Sequence, residues 1–533
     1  MRILRFLIVI FPLVISNQVA AEELYFRFPV ENRAELIEIT RLVSIDNYKN
    51  DTVYAFGTLA EYNRAKAAGY QIQLLEHPSK FADPKMADTR AEMADWDVYP
   101  SYGNYVQMMY SFGALYPSIC TTIVAGYSVL GREILFVKIS DNVQTEEAEP
   151  EVMYSSSMHG NELCGYVLML RMIDSILTTY GRDSEMTEMV NNMEIWINPL
   201  ANPDGAYRFG DASVSGAMRY NANFVDLNRN FPDPDEGPHP DGNSWQSETV
   251  AMMNIAEQQN WVVSANFHGG AEVVNFPWDT WFARHPDDSW YTIVCRQYAD
   301  SAQAYSPSGY MTQLDNGITN GWDWYPIFGG RQDYMNHYRG CREVTIELSN
   351  VKLLNEALLP AHWGYNRVSL FDWFRQANYG ITGIVTDYST GDPIRATIAV
   401  IGIDSVWSEV YTDPDIGDYY RMLEPGTYSL QFSAEGYDTL VLTGITVSAD
   451  SASDANVQLI PSYTWICGDI DNNGVFEGIL ELTYLVDFIF RGGPAPENEL
   501  AADVDGSGGT ANILDLTYLV DFIFRGGPAP SCN

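Results

Sequence analysis

Two short apolar runs, EVMYSSSMH at residues 151–159 and WVVSANFH at residues 261–268, each end in a histidine that is followed by glycine. Runs of this kind read as strands buried on both faces of a sheet. In such sheets functional groups collect beyond the carboxyl ends of the strands, which places His159 and His268 at one edge. Glu162 follows His159 by three positions, so an imidazole and a carboxylate face one cation if the chain leaves a strand and starts a helix there. A lone histidine is usually structural. Two histidines and a glutamate with one position left open are the donor set of catalytic rather than structural zinc. A third strand-like run, EVTIEL at residues 343–348, carries Glu347.

Further apolar runs (TTIVAGYS, EILFVKIS, MEIWINPL) alternate with helical stretches such as GYVLMLRMIDSILTTY across residues 98–378. The alternation predicts an α/β domain whose mixed, mostly parallel sheet is covered by helices on both faces. Ahead of it, residues 22–97 read as a small α/β unit followed by a polar linker at 77–97 that contains Pro78 and Pro84 and lacks periodicity. That unit is either a removable propeptide or a permanent accessory domain. Residues 379–460 show period-2 alternation with turns at Gly391-Asp392-Pro393 and Pro425-Gly426, which predicts a small β-sandwich.

Thirty Lys and Arg against 70 Asp and Glu give a formal net charge of -40, which argues against a nucleic-acid partner because a phosphate backbone would be repelled. The acidity mildly favours cationic ligands, and reads equally well as a solubility device. Arg2 and Arg5, an apolar run at residues 6–15 and the small residues Val19-Ala20-Ala21 read as a signal peptide of residues 1–21. The run is too short to span a bilayer, and no later segment is long and apolar enough, so the expectation is an exported chain without a membrane span, secreted or periplasmic. Six cysteines are compatible with disulfides in that setting. Cys467 and Cys532 bracket the C-terminal segment and are expected to pair. Cys120, Cys164, Cys295 and Cys341 show no zinc-finger spacing.

Residues 461–533 hold an internal repeat: TYLVDFIFRGGPAP occurs at 483–496 and again, identically, at 517–530. Each copy follows an acidic loop, with Asp469, Asp471 and Asn473 before Gly474, and Asp503, Asp505 and Ser507 before Gly508. Oxygen side chains at alternate positions with glycine at the sixth are what a Ca²⁺ loop requires. Each following helix carries one apolar face: Leu482, Leu485, Val486 and Ile489, mirrored by Leu516, Leu519, Val520 and Ile523. The segment resembles a dockerin module, which implies an α-helical repeat that binds two Ca²⁺ ions and docks to a cohesin-like scaffold, attaching the chain at a cell surface. In one respect it departs from that family. The loop-closing acid falls at position 13 rather than 12 in both copies, as Glu481 and Asp515. The alternative is a generic calcium-stabilised appendage.

The central domain carries NPDG at residues 202–205, DLNRNFP at 226–232, NFHGGAEVVNFPWD at 266–279, GITNGWDWY at 317–325, GGRQD at 329–333 and TIEL at 345–348. With HGNE these resemble the zinc metallocarboxypeptidases, more closely the regulatory, carboxypeptidase D and N-like branch than the pancreatic digestive one. That branch also carries a transthyretin-like β-sandwich after the catalytic domain. The resemblance implies that His159, Glu162 and His268 bind one Zn²⁺, that Glu347 is the general base, and that Arg219 stabilises the oxyanion. It implies that Asn228 and Arg229 hold the terminal carboxylate of a peptide or protein substrate and that Tyr325 closes over it. Asp279 and Gln332 are expected to line the pocket for the C-terminal side chain, so that Lys or Arg is preferred; Arg331 opposes this if it points into the pocket. Two rival readings are an inactive peptide-binding module, against which all ligands and the base are present, and an amidase acting on cell-wall peptides or polyglutamylated tails, against which Asp279 argues.

Overall fold

A computed structural model describes residues 22–405, 407–462 and 466–532; the expected leader at 1–21 lies outside the described residues. The chain divides into two compact units, Met1–Ala434 with Thr439–Leu459, and Glu435–Asp438 with Ile460–Asn533.

The first unit begins with four antiparallel strands, β1 (Glu23–Pro29), β2 (Ser44–Lys49), β3 (Thr52–Thr58) and β4 (Gln73–Leu75), in the order β2-β3-β1-β4. Their alternation buries Phe26, Phe28, Val53 and Ala55, and this core continues into Ala271, Val273, Trp324, Tyr325 and Ile327 of the central domain. The segment expected to be linker is divided. Residues 86–100 belong to the central domain, where β5 (Met86–Ala87) pairs in parallel with β6 (Tyr99–Pro100) and Ala87, Met93 and Val98 enter the core. Two-residue strands are too short to leave a periodic signature.

The central domain is built on eight strands: β7 (Cys120–Tyr127), β8 (Glu133–Ile139), β9 (Glu151–Ser156), β10 (Glu194–Asn198), β11 (Val263–His268), β12 (Ala271–Phe276), β13 (Ile318–Asn320) and β14 (Arg342–Ser349). They run in the order β13-β12-β14-β11-β9-β10-β8-β7. The central pairs β10/β9, β9/β11 and β11/β14 are parallel, whereas β7/β8, β8/β10 and β12/β14 are antiparallel, so the sheet is mixed as its pattern predicts. Both faces are buried. Along β8, Leu135 and Val137 enter one core with the helices Tyr102–Leu115, Cys164–Thr179, Asp288–Ala304 and Leu359–Arg375, while Ile134 and Phe136 enter another with Ser247–Gln258 and Arg331–Arg339. Each such side chain contributes roughly 1.5–3 kcal/mol by leaving water.

The β-sandwich follows. Asp418–Arg421, Gly380–Asp387, Ala452–Asp454 and Val457–Leu459 form one sheet, and Val410–Tyr411, Thr397–Val400, Gly426–Ser433 and Leu440–Val447 the other. A buried ion network ties it to the central domain: Asp287 accepts from Arg342 Nε (2.9 Å) and from Arg421 Nη2 (2.6 Å), and Arg421 also meets Asp404 (2.7 Å). Burial alone would raise the Asp287 carboxyl, but Arg421 and Arg342 outweigh it and hold it below the usual carboxylate range. Removing one partner of such a network leaves an uncompensated buried charge, which costs about 3–5 kcal/mol.

In the second unit the repeated segments form helices Ile479–Arg491 and Ile513–Arg525, whose apolar faces share a core through Leu485 and Leu519. Cys467 and Cys532 are joined in a disulfide with Cα atoms 5.5 Å apart, and the four remaining cysteines are buried thiols. Among the described residues no helix is long and apolar enough to cross a membrane.

Candidate active site

His159 lies three residues past the end of β9, and Glu162 sits just before the helix Cys164–Thr179. The glycine between them is required by packing. A Cβ on Gly160 would lie 2.3 Å from the carbonyl carbon of Gly205, so the HGNE and NPDG segments meet backbone to backbone. His268 is the last residue of β11.

The three donor groups converge: each offers one atom within 4.8 Å of the others. His268 Nδ1 is 2.8 Å from Glu162 Oε2, His159 Nδ1 is 3.0 Å from Glu162 Oε1, and the two Nδ1 atoms are 3.0 Å apart. Burial keeps the His268 imidazole neutral, pushing it down to about 4, the state a metal ligand needs. Burial alone would raise Glu162, yet His159, Lys352 and His268 hold it well below the usual range. Two imidazole nitrogens and a carboxylate facing one point fit a zinc ion.

Asp226, the first residue of DLNRNFP, is a participant that sequence reasoning passed over. Its Oδ1 lies 3.0 Å from His159 Nε2 and also accepts the Asn228 N–H (2.8 Å), while Oδ2 accepts Arg219 Nε (3.1 Å). A carboxylate behind a ligand histidine fixes its ring and tautomer. Arg219, Asn228, Arg229 and His159 are thereby tied to one side chain or its immediate neighbours.

Glu347 stands in register with His268 on the adjacent parallel strand. It is 7 % exposed, and its Oε2 has no hydrogen-bond partner among the described residues. Burial, then Glu162, push its carboxyl up to about 8, with Lys352 and Arg219 pulling the other way. Arg219 Nη1 is 3.1 Å from Glu162 Oε1, so its guanidinium faces the metal side of the cleft. Lys352 Nζ lies 2.7 Å from the same oxygen. No motif singled out Lys352.

Two of the three expected carboxylate-binding residues, Arg229 and Tyr325, reach the strand β2, while Asn228 Oδ1 accepts the Arg331 N–H (3.0 Å). Arg229 Nη2 donates to the Ile45 carbonyl (3.1 Å) and Tyr325 Oη to the Asp46 carbonyl (3.3 Å). The Asp46 carboxylate pairs with Arg219 Nη1 (3.4 Å) and with Lys352. Glu23 of β1 accepts the Arg219 and Tyr220 N–H groups, both at 2.9 Å. The N-terminal unit therefore lies across the cleft.

Asp279 is 2 % exposed and its Oδ1 accepts Asn275 Nδ2 at 3.0 Å. Burial pushes its carboxyl up to about 7. Gln332 is 1 % exposed, and neither end of its amide has a partner among the described residues. Arg331 does not oppose a cation here: its Nε and Nη2 meet the two oxygens of Glu343 at 2.9 and 3.1 Å, and the pair is buried.

In the second unit Asp469, Asp471 and Glu481 converge, as do Asp503, Asp505 and Asp515. The acid at position 13 folds back in each copy: Glu481 Oε2 accepts the Ile470 N–H (2.7 Å) and Asp515 Oδ1 the Asp505 N–H (3.4 Å). Asn473 Oδ1 accepts the Val475 N–H, and the Ser507 N–H donates to Asp503 and Asp505.

Comparison with known proteins gives a match of residues 105–368 to the zinc carboxypeptidase family model and of residues 380–460 to that of the carboxypeptidase regulatory-like domain. Carboxypeptidase D of Rattus norvegicus is 37% identical over 368 residues, covering 66% of this chain and 26% of that protein. The chain thus spans about a quarter of the length of its carboxypeptidase D relatives. The carboxypeptidase N catalytic chain of Rattus norvegicus is 33% identical over 402 residues, covering 68% of this chain and 86% of that one. Among solved structures, carboxypeptidase A from Helicoverpa armigera aligns with a TM-score of 0.52 at 17% identity over 67% of this chain and 98% of that chain, a likeness of fold.

Proposed function

Because the chain belongs to the zinc carboxypeptidase family, we propose that it hydrolyses the C-terminal peptide bond of peptides or proteins, favours C-terminal Lys or Arg, and is exported with its active site covered by its own N-terminal unit. The observation that carries this reading is that Arg229, Tyr325 and Arg219 all engage Ile45 and Asp46, a peptide segment seated beside the His159, Glu162 and His268 donors and Glu347.

His159, Glu162 and His268 would hold a zinc ion, which would supply Lewis-acid chemistry toward the water and the scissile carbonyl. Glu347, buried with a raised affinity for protons, takes the proton of the attacking water and passes it to the leaving amine. Arg219 faces the developing negative oxygen, held in place by Asp226. Asn228 and Arg229 grip the substrate's terminal carboxylate, for which a planar guanidinium is suited, and Tyr325 closes over it. A chain continuing past that carboxylate would clash, which makes the enzyme an exopeptidase. Asp279 receives a cationic side chain, with Gln332 free to donate and accept beside it. The amidase reading has no use for a buried acid there.

The N-terminal unit acts as a propeptide. Its Ile45 carbonyl occupies the Arg229 guanidinium and its Asp46 carboxylate the Arg219 and Lys352 charges, so substrate and β2 exclude one another. In the connector at residues 76–85, where Ser79 and Pro84 are buried, Lys80 and Lys85 are open to solvent and suit proteolytic release. The basic and apolar pattern of residues 1–21, read as a leader, supports export. The two acidic loops hold one Ca²⁺ each, and the repeat they stabilise docks to a cohesin-like partner at a cell surface.

Glu347→Gln lowers kcat by about 10²–10⁴-fold with zinc stoichiometry unchanged, read by single-turnover kinetics and metal analysis; full activity in this variant refutes the mechanism. Among matched peptides ending in Arg, Lys and Phe, the basic ones are cleaved best. The Arg-to-Phe ratio of kcat/KM rises with pH through about 7, because the raised Asp279 carboxyl must lose its proton to pair with a cation; superimposable profiles, or a Phe preference, contradict the pocket. Nicking the connector at 76–85 raises activity, as does Asp46→Ala in the uncut chain, and equal activity before and after either change removes the propeptide reading. Calorimetric titration of the full chain finds two Ca²⁺ equivalents, one lost in Glu481→Ala and one in Asp515→Ala; no calcium heat dismisses the loops as sites.

A further inference from the structure

Asp333 is buried (1 % exposed) in the first turn of the helix Arg331–Arg339, behind Asp279. Both its oxygens accept the Asp279 backbone N–H, at 3.1 and 3.0 Å, and Oδ2 also accepts the Thr280 N–H at 2.7 Å. A carboxylate on a helix thus captures two consecutive amides of the segment that presents the pocket acid. The Asp279 side chain is confined from other directions. Asn275 Nδ2 donates to its Oδ1, and that oxygen stands where Gly321 has no side chain: a Cβ there would lie 1.7 Å from it. The Asn275 bond orients the Asp279 carboxylate, the Asp279 backbone carbonyl accepts the Ile327 N–H (3.3 Å), and Asp333 fixes the N–H side of the same backbone.

The electrostatics point the same way. Asp279, Asp333 and Asp233 share one buried corner, Asp233 being joined to it by Thr280 Oγ1 (3.0 Å) and the Gly329 N–H (2.8 Å). The cation acting on Asp279 is Arg229, which serves the carboxylate site, and Arg331, two residues before Asp333, is taken up by Glu343. Burial raises all three carboxyls, and the Asp279 charge next to Asp333 raises Asp333 further, so an entering guanidinium or ammonium group is what favours their ionised form in this corner.

We propose that Asp333 is the positioning residue that sets the preference for C-terminal Lys and Arg, by locking the 279–280 backbone so that the Asp279 carboxylate meets the substrate's cationic group. The proposal rests on the pocket reading above. Asp333 does not touch substrate; it acts through Asp279. Its loss therefore falls on basic substrates and spares those whose side chain makes no ion pair.

The test uses the zinc-loaded full chain, with and without nicking of the connector, and compares Asp333→Ala and Asp333→Asn with the unaltered protein on peptides ending in Arg and in Phe. Asp333→Ala is expected to lower the Arg-to-Phe ratio of kcat/KM by about 10- to 100-fold, mainly through KM for the Arg peptide, since misplacement of a binding group by about 1 Å has effects of that order. Asp333→Asn keeps the shape and one acceptor oxygen while turning the other oxygen into a donor, and is expected to retain part of the ratio; it decides the matter if the alanine variant does not fold. Equal losses on both peptides assign Asp333 a purely structural role and overturn the proposal, as does an unchanged ratio. An unaltered protein without any basic preference refutes the pocket reading itself, whereas a preference that survives both substitutions refutes only the role of Asp333.

Discussion

The parallel register of β9, β11 and β14 is the constraint on which the active site depends. Pairing Phe267 with Ser156 and His268 with Glu347 brings the ends of three strands to one edge, so that a metal ligand and the candidate base stand on neighbouring strands in the same row. A slip of one residue in either pairing would turn these side chains to the opposite face. The register is strongly specified because both faces of the sheet are buried, with Val152 and Tyr154 on one side and Met153 on the other. Core packing thus defines the geometry of the chemistry, and the loops only deliver Arg219, Asn228, Arg229 and Tyr325 to it.

That edge gathers charge at a density water would normally dilute. Glu162, Asp226, Glu347 and Asp46 surround Arg219 and Lys352 with almost no solvent access. Buried charges persist only when paired, and Asp46, contributed by the N-terminal unit, is one of the acids facing those two cations. The unit thus covers the cleft with a group of the right sign, and on the proposed propeptide reading its release would re-expose two cations. On the proposed mechanism a substrate would offer compensation of the same kind, with its terminal carboxylate at Arg229 and a developing negative oxygen at Arg219.

Much of the site was legible in the sequence because its residues come in short motifs whose glycines have structural work: Gly160 lets HGNE meet NPDG, and Gly321 makes room for Asp279. Other participants were hidden for different reasons. Asp226 and Asp333 sit inside recognised motifs, but their roles lie in what they grip, a ligand ring and two backbone amides, and spacing carries no trace of such contacts. Lys352 follows a strand as one of several polar residues, and Asp46 lies in another unit altogether, more than 100 residues from the groups it meets, so only folding brings them together. The opposite case is Arg331, whose place beside Gln332 in sequence suggests a conflicting charge that Glu343 cancels in space. Residues 86–97 read as linker because the strands there and at 99–100 are only two residues long.

A chain with 70 acidic side chains also shows how the same group serves opposite ends. Asp233, Asp333 and Asp226 spend their oxygens on backbone N–H groups or on Arg219, and so act as fasteners for the loops that carry the site. Glu347 has a buried oxygen that meets no donor, and Asp279 is met by a single side-chain N–H. Burial pushes both up toward neutrality, as it does Asp333 and Asp233, so it is hydrogen-bond satisfaction and not burial that distinguishes them. Within the cleft, satisfaction by the protein separates the two classes: a carboxylate whose partners are all internal holds structure, and one left wanting a partner is poised to take a proton or a substrate cation. The fasteners are what make the second class possible, because an underpartnered buried acid stays at its post only if the backbone beneath it cannot move.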